Sequence, residues 1–146
     1  MRIVFLTILL GLGAMMAPAQ IVADGKAIVY IYSFDVSALG NVRKIVSLDG
    51  KPLANVRPER YFIAVIEPGK HAIHWQDKKH GGIEMDFVAG MTYYLRAGWN
   101  EGGFMIKPKG LDLVAPENGA FDVKQMRAVD AGDLKDKLRA TVAIAK

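Results

Sequence analysis

Three histidines, His71, His74 and His80, are the side chains best suited to hold a metal ion. His71 and His74 lie three apart in an alternating apolar run, and a strand sends positions three apart to opposite faces. They cannot share one ion there, and His80 follows Lys78 and Lys79, whose charges repel a cation. No metal site and no cofactor is predicted. Nucleophilic catalysis meets a similar obstacle. The chain has no cysteine, and Ser33, Ser37 and Ser47 lack the Gly-x-Ser-x-Gly setting of a strained nucleophile turn. Glu84 and Asp86 share a strand face, and Arg96 is expected on that face too. A nearby cation keeps both acids ionised rather than holding one protonated for glycoside cleavage. Glu101-Gly102-Gly103 opens no helix and follows no phosphate-binding pattern. The chain reads as non-catalytic.

Binding chemistry has a better candidate. Tyr94, Arg96 and Trp99 gather at one end of a predicted sheet. An aromatic ring beside a planar cation can stack on sugar rings or on a partner's side chains. The structural alternative gives Trp99 the work of plugging the open end of the fold and leaves Tyr94 on the surface.

The elements that would position these residues are strands. Residues 26–34 alternate, with Ile28, Tyr30, Tyr32 and Phe34 on one side and Ala27, Val29 and Ile31 on the other. Apolar character on both sides predicts a strand covered on two faces. A second strand over 42–48 ends at Asp49-Gly50, a strong hairpin signal. Its partner over 51–57 carries Pro52 and is followed by Pro58, which suits an edge. Next, Pro68-Gly69 joins two apolar runs as a predicted hairpin through a type II turn. The register pairs Ile66 with His71, Ala64 with Ile73 and Phe62 with Trp75, all on one face. A second hairpin around Ala89-Gly90 sets Glu84 opposite Arg96 and Asp86 opposite Tyr94. A further strand over 102–107 stops at Pro108-Lys109-Gly110. Pro116 starts a short helix running toward Met126. Asp133 is expected to cap a last helix with Leu134, Leu138 and Val142 as its stripe. The sum is an all-β, antiparallel sandwich of about seven or eight strands with short C-terminal helical segments.

The first residues are expected to lie outside that fold. Met1-Arg2 is a basic start, 3–12 is an almost unbroken apolar run, and Ala17-Pro18-Ala19 is a small-x-small cleavage pattern. The run is shorter than the roughly 20 residues of a membrane span. Residues 1–19 therefore read as a signal peptide, with cleavage after Ala23 as the second choice. Residues 24–127 read as the sandwich domain and 128–146 as a tail or short helix. Removing 19 of the 146 residues leaves 127, one ordinary domain with room for a core. An exported chain without cysteine or an Asn-x-Ser/Thr acceptor fits the bacterial envelope, periplasmic or secreted, with no stable membrane insertion after cleavage. Loss of Arg2 takes the formal charge from +4 to +3, and the cations are scattered. No concentrated basic stripe marks a nucleic-acid surface.

The order Val29-Tyr-Ile-Tyr32, Leu48-Asp-Gly-Lys51, Tyr61-Phe62, Pro68-Gly-Lys-His71, Ala89-Gly-Met-Thr-Tyr-Tyr94 and Gly98-Trp99 resembles the domain-of-unknown-function 2846 family of exported bacterial proteins and lipoproteins. The likeness covers residues 26–126. It implies a small immunoglobulin-like or transthyretin-like sandwich with no assigned activity. This chain lacks a lipidation cysteine, so the lipid anchor of such relatives does not carry over. The functional expectation is a protein-binding or scaffolding module of the envelope. The alternative is a recognition domain for cell-wall glycan or another carbohydrate, using Tyr94, Arg96 and Trp99.

Overall fold

A computed structural model of the chain describes residues 25–34, 44–75, 81–100, 107–136 and 140–141. The signal-peptide reading, His80 and the Glu101-Gly102-Gly103 stretch lie outside them. The described chain is an all-β sandwich with one short helix. Its strands are β1 (Ala27–Ser33), β2 (Lys44–Leu48), β3 (Lys51–Val56), β4 (Arg60–Ile66), β5 (Gly69–Trp75), β6 (Gly82–Phe87), β7 (Thr92–Asn100) and β8 (Lys107–Val114). Helix α1 (Pro116–Lys124) follows, and then two short strands, β9 (Arg127–Ala128) and β10 (Ala140–Thr141).

One sheet runs β10-β4-β1-β7-β8, with β9 also pairing β4, and the other runs β3-β2-β5-β6. Strand β1 lies between β4, antiparallel, and β7, parallel. Its two apolar faces follow from that position. Ala27, Val29 and Ile31 enter the core between the sheets, while Ile28, Tyr30 and Tyr32 join a second cluster on the outer face. Phe62, Ala64 and Ile66 of β4 meet Ile73 and Trp75 of β5 and Phe87 of β6 across the sandwich. Fully burying each large apolar side chain contributes about 1.5–3 kcal/mol, so this interdigitation is the main source of stability.

Asp49-Gly50 forms the expected hairpin, with Leu48 opposite Lys51 and positive φ at both central residues (50° and 79°). That is the geometry a two-residue primed turn requires. A bulge lets β3 pass Pro52, and β3 is an edge strand, as Pro52 and the following Pro58 foretold.

The two other predicted hairpins are corrected. Strands β4 and β5 do not pair, and neither do β6 and β7. Pro68-Gly69 and Ala89-Gly90 carry the chain from one sheet to the other. Face assignments survive because Phe62, Ala64, Ile66, Ile73 and Trp75 are all buried in one core. The partners differ: Ala64 pairs Val29, and Ile73 pairs Ile83 and Leu48. Glu84 lies opposite Ala72 and forms an ion pair with Lys70, far from Arg96 in the register.

The last strand of the first sheet also differs from expectation. Pro108 and Gly110 do not stop it. They lie within β8, where a register shift between Gly98 and Trp99 accommodates the proline on an edge strand. Helix α1 begins at Pro116 as predicted. No helix follows Asp133 in the described residues. Ala131–Asp133 is a single 3-10 turn, Leu134 bridges to Ala54, and Ala140 pairs Ala64 in β10. The backbone amides of Lys135 and Asp136 both donate to Leu53 O, so this segment satisfies the free edge of β3. A docked extended segment gains these bonds, which an isolated short helix would forgo.

Candidate functional site

The outer face of the first sheet carries Tyr30 and Tyr32 from β1, Tyr61 from β4, and Tyr94 and Arg96 from β7. Alternation puts these side chains on the same face, and the register makes Tyr30 the neighbour of Tyr94 and Tyr32 the neighbour of Tyr61 and Arg96. Tyr94 stacks on Tyr30 with ring centroids 4.9 Å apart and planes 14° apart. Helix α1 covers the group. Gly119 approaches Tyr94 so closely that a Cβ there would fall on the ring, and the Tyr32 hydroxyl donates to Asp122 Oδ2 at 2.7 Å.

Burial raises the pKa of Tyr30, Tyr61 and Tyr94 above the ordinary phenol value. Tyr94 and Tyr61 add to the effect at Tyr30. Tyr32 is shifted furthest, first by burial and then by its bond to the Asp122 carboxylate, with Arg96 opposing. These are neutral phenols packed as a core. They are not activated for catalysis.

Of the predicted binding trio, the structure describes the side chains of Tyr94 and Arg96. Tyr94 and Arg96 share a face, but one face of the Tyr94 ring stacks on Tyr30 and Gly119 abuts the base of the ring, so this side chain is half-buried. Arg96 is half-buried with its guanidinium carbon 6.0 Å from the Phe34 ring centre. The backbone of Trp99 pairs with Pro108, while its side chain lies outside the described residues.

His71 occupies the opposite end of the sandwich. Its Nδ1 is 2.8 Å from Asp49 Oδ2 and its Nε2 is 3.0 Å from the Glu67 carbonyl. Both partners accept, so only a ring protonated at both nitrogens makes both bonds at once. Asp49 Oδ1 accepts in addition from the Ala72 amide, and Lys26 pairs with Glu67 at 2.7 Å. This group ties the β2–β3 turn to the β4–β5 crossing, which is a structural role. Among the described residues no three potential ligands converge on a cation position.

Sequence reasoning missed a recess of about 390 Å³ lined by Arg57, Pro58, Glu59, Arg60, Gln125 and Arg127. It lies where the β3–β4 turn meets the chain leaving α1. Glu59 holds a positive φ of 54°, uncommon for a side-chain-bearing residue. Arg57 Nε is 3.2 Å from Oδ2 of Asp133, itself only 4% exposed; the approach is a charge contact, without hydrogen-bond geometry at Nε. Arg60 and Arg127 are direct partners across the parallel β4–β9 pair. No sequence signal links positions 60 and 127, because only the parallel bridge brings them together.

No described helix is long and apolar enough to cross a membrane. Comparison with known protein families, with characterised proteins and with solved structures finds no match to this chain.

Proposed function

We propose that the chain is a non-catalytic binding module of the bacterial envelope that engages a protein partner. Export, with cleavage after Ala19 or Ala23, belongs to this reading. So does the resemblance to the domain-of-unknown-function 2846 family, which rests on the order of short motifs quoted above. The immunoglobulin-like or transthyretin-like topology is part of the same proposal.

The observation that carries the protein-partner reading is Phe121. It stands on α1, whose other side docks on the tyrosines, and it is 66% exposed. Leu113 on the edge strand β8 is 52% exposed. Large apolar groups on a helix and an edge strand suit protein contact. Carbohydrate stacking needs an open aromatic face, and Tyr94 is half-buried with one face of its ring taken by Tyr30.

Site-specific photo-crosslinking from position 121 in the native envelope tests this. A discrete adduct with one protein, lost in a Phe121→Ser background crosslinked from a neighbouring position, is the expected result. Saturable binding to purified peptidoglycan that disappears in Trp99→Ala would overturn it in favour of glycan recognition.

A further inference from the structure

The arginine-lined recess is a second site, independent of the Phe121 surface. Arg60 and Arg127 are register partners on adjacent parallel strands, so their side chains project to the same side of the sheet. Like charges directly opposite each other destabilise a strand pair. No ion pair joins either arginine to another described residue. Arg57 adds a third guanidinium to the lining and is held by the buried Asp133. Such an arrangement is unfavourable by itself, and an anion seated among the three cations relieves it.

We propose that this recess binds the phosphate group of a polyol phosphate ester. The shape of the anion decides between phosphate and carboxylate. A carboxylate offers two oxygens in one plane and matches one guanidinium fork. A phosphate ester offers up to three terminal oxygens in a tetrahedral array, enough for three cations, Arg57 and Arg60 from the two ends of the β3–β4 turn and Arg127 from β9. Glu59 and Gln125 complete the lining. Glu59 accepts from hydroxyl groups and Gln125 both donates and accepts, which suits a polyol next to the phosphate. A volume of about 390 Å³ exceeds the needs of a bare ion and lies within the range of small-ligand pockets. Glu59 also repels the anion. With Asp133 behind Arg57, three positive groups face two negative ones, so the site is selective and of moderate affinity.

The shared chemistry can come from a free polyol phosphate or from a phospholipid headgroup. The full-length chain is titrated calorimetrically with glycerol 3-phosphate and with acetate. It is also floated with vesicles of phosphatidylglycerol and of phosphatidylcholine. Each measurement is repeated for Arg60→Gln, Arg127→Gln and Glu59→Gln. Glycerol 3-phosphate is expected to bind saturably and at least about tenfold more tightly than acetate. Loss of either arginine weakens it by about tenfold, the scale of one charge-assisted hydrogen bond. Glu59→Gln tightens it several-fold, a gain that no merely structural role produces.

Vesicle binding that needs both arginines assigns the site to a headgroup. Binding of the soluble ester alone assigns it to a free metabolite. Absence of saturable glycerol 3-phosphate binding, parity with acetate, or indifference to both arginine substitutions overturns the proposal. Arg127 is exposed and near the end of a two-residue strand, so Arg127→Gln remains folded even where Arg60→Gln does not. Without ligand, Arg127→Gln is expected to raise the thermal midpoint, because it removes the like-charge pair.

Discussion

The Tyr32 hydroxyl and the Asp122 carboxylate, ninety residues apart, meet at 2.7 Å and pin α1 to the central strand of the larger sheet. Tyr32 is fully buried and Asp122 half-buried, so the bond closes one end of the helix–sheet contact. Replacing Tyr32 by Phe keeps the ring and removes the donor. The expected loss is about 1 kcal/mol in chemical denaturation, the usual net worth of one such bond. Asp122→Ala should destabilise by a similar or larger amount, since it strands the buried phenol.

Alkaline pH should loosen the same interface. All four tyrosines of the outer face have folded pKa values raised by burial above the ordinary value near 10, Tyr32 most of all. The unfolded chain then loses these protons at lower pH than the folded one. The stability they contribute is complete below about pH 10 and declines as pH rises through the folded values. Tyrosinate absorbance is expected to appear late and together with loss of structure. Smooth titration of every tyrosine near 10 in a folded chain would contradict the packing.

Gly119→Ala sets two effects against each other. Alanine is better than glycine in a helix by about 1 kcal/mol. Here, however, its Cβ lands on the Tyr94 ring, and overpacking typically costs about 1–3 kcal/mol. The second effect is larger. The variant should be less stable, and adding Tyr94→Ala to it should restore tolerance of the extra methyl group while itself removing the stacked ring.

Glu59→Gly should act in the opposite direction on stability. A side chain at a φ of 54° costs about 1–2 kcal/mol, and glycine returns about 0.5–1 kcal/mol of that as unfolded-state entropy. A net gain of up to about 1 kcal/mol in thermal or urea unfolding is expected. Glu59→Ala, which keeps the strain, should show no such gain.

Asp49→Asn separates the two tasks of the Asp49 side chain. Asparagine tolerates the left-handed turn position as well as aspartate does. It weakens the charge-assisted bond to His71, which lies partly in solvent, so the loss should be about 1 kcal/mol. His71→Leu removes both bonds between the turns and should cost more.

These relationships were legible in the residues to different depths. Asp49-Gly50 specifies its own hairpin because both positive φ values are satisfied locally. Pro116 likewise marks the start of α1. The two faces of β1 could be read from alternation alone. Pro68-Gly69 and Ala89-Gly90 misled because alternation reports which face a residue takes and is silent about its neighbour. Phe62 and Trp75 point into the same core whether they are partners in one sheet or opposed across two. The helix expected after Asp133 lost to backbone bonds with Leu53, a contact absent from any local pattern. Arg57, Arg60 and Arg127 looked like scattered surface charge for the same reason. Of the candidate trio, Tyr94 and Arg96 lie on one face as alternation implied, but nothing in their spacing announced the helix that packs on Tyr94.

The position of β1 has a consequence for how the chain reaches its native state. It precedes every other described strand, yet its neighbours begin only at Arg60 and Thr92. Neither neighbour follows it directly in the chain, because β2 and β3 come before β4, and β2 to β6 come before β7. The centre of the larger sheet therefore forms only after two wide loops have been drawn together, at an entropic cost incurred before the contacts repay it. Folding should be slow for a chain of this size. Its earliest strand has no partner until β4 is present and keeps one open edge until β7 is, exposed meanwhile to pairing with other chains.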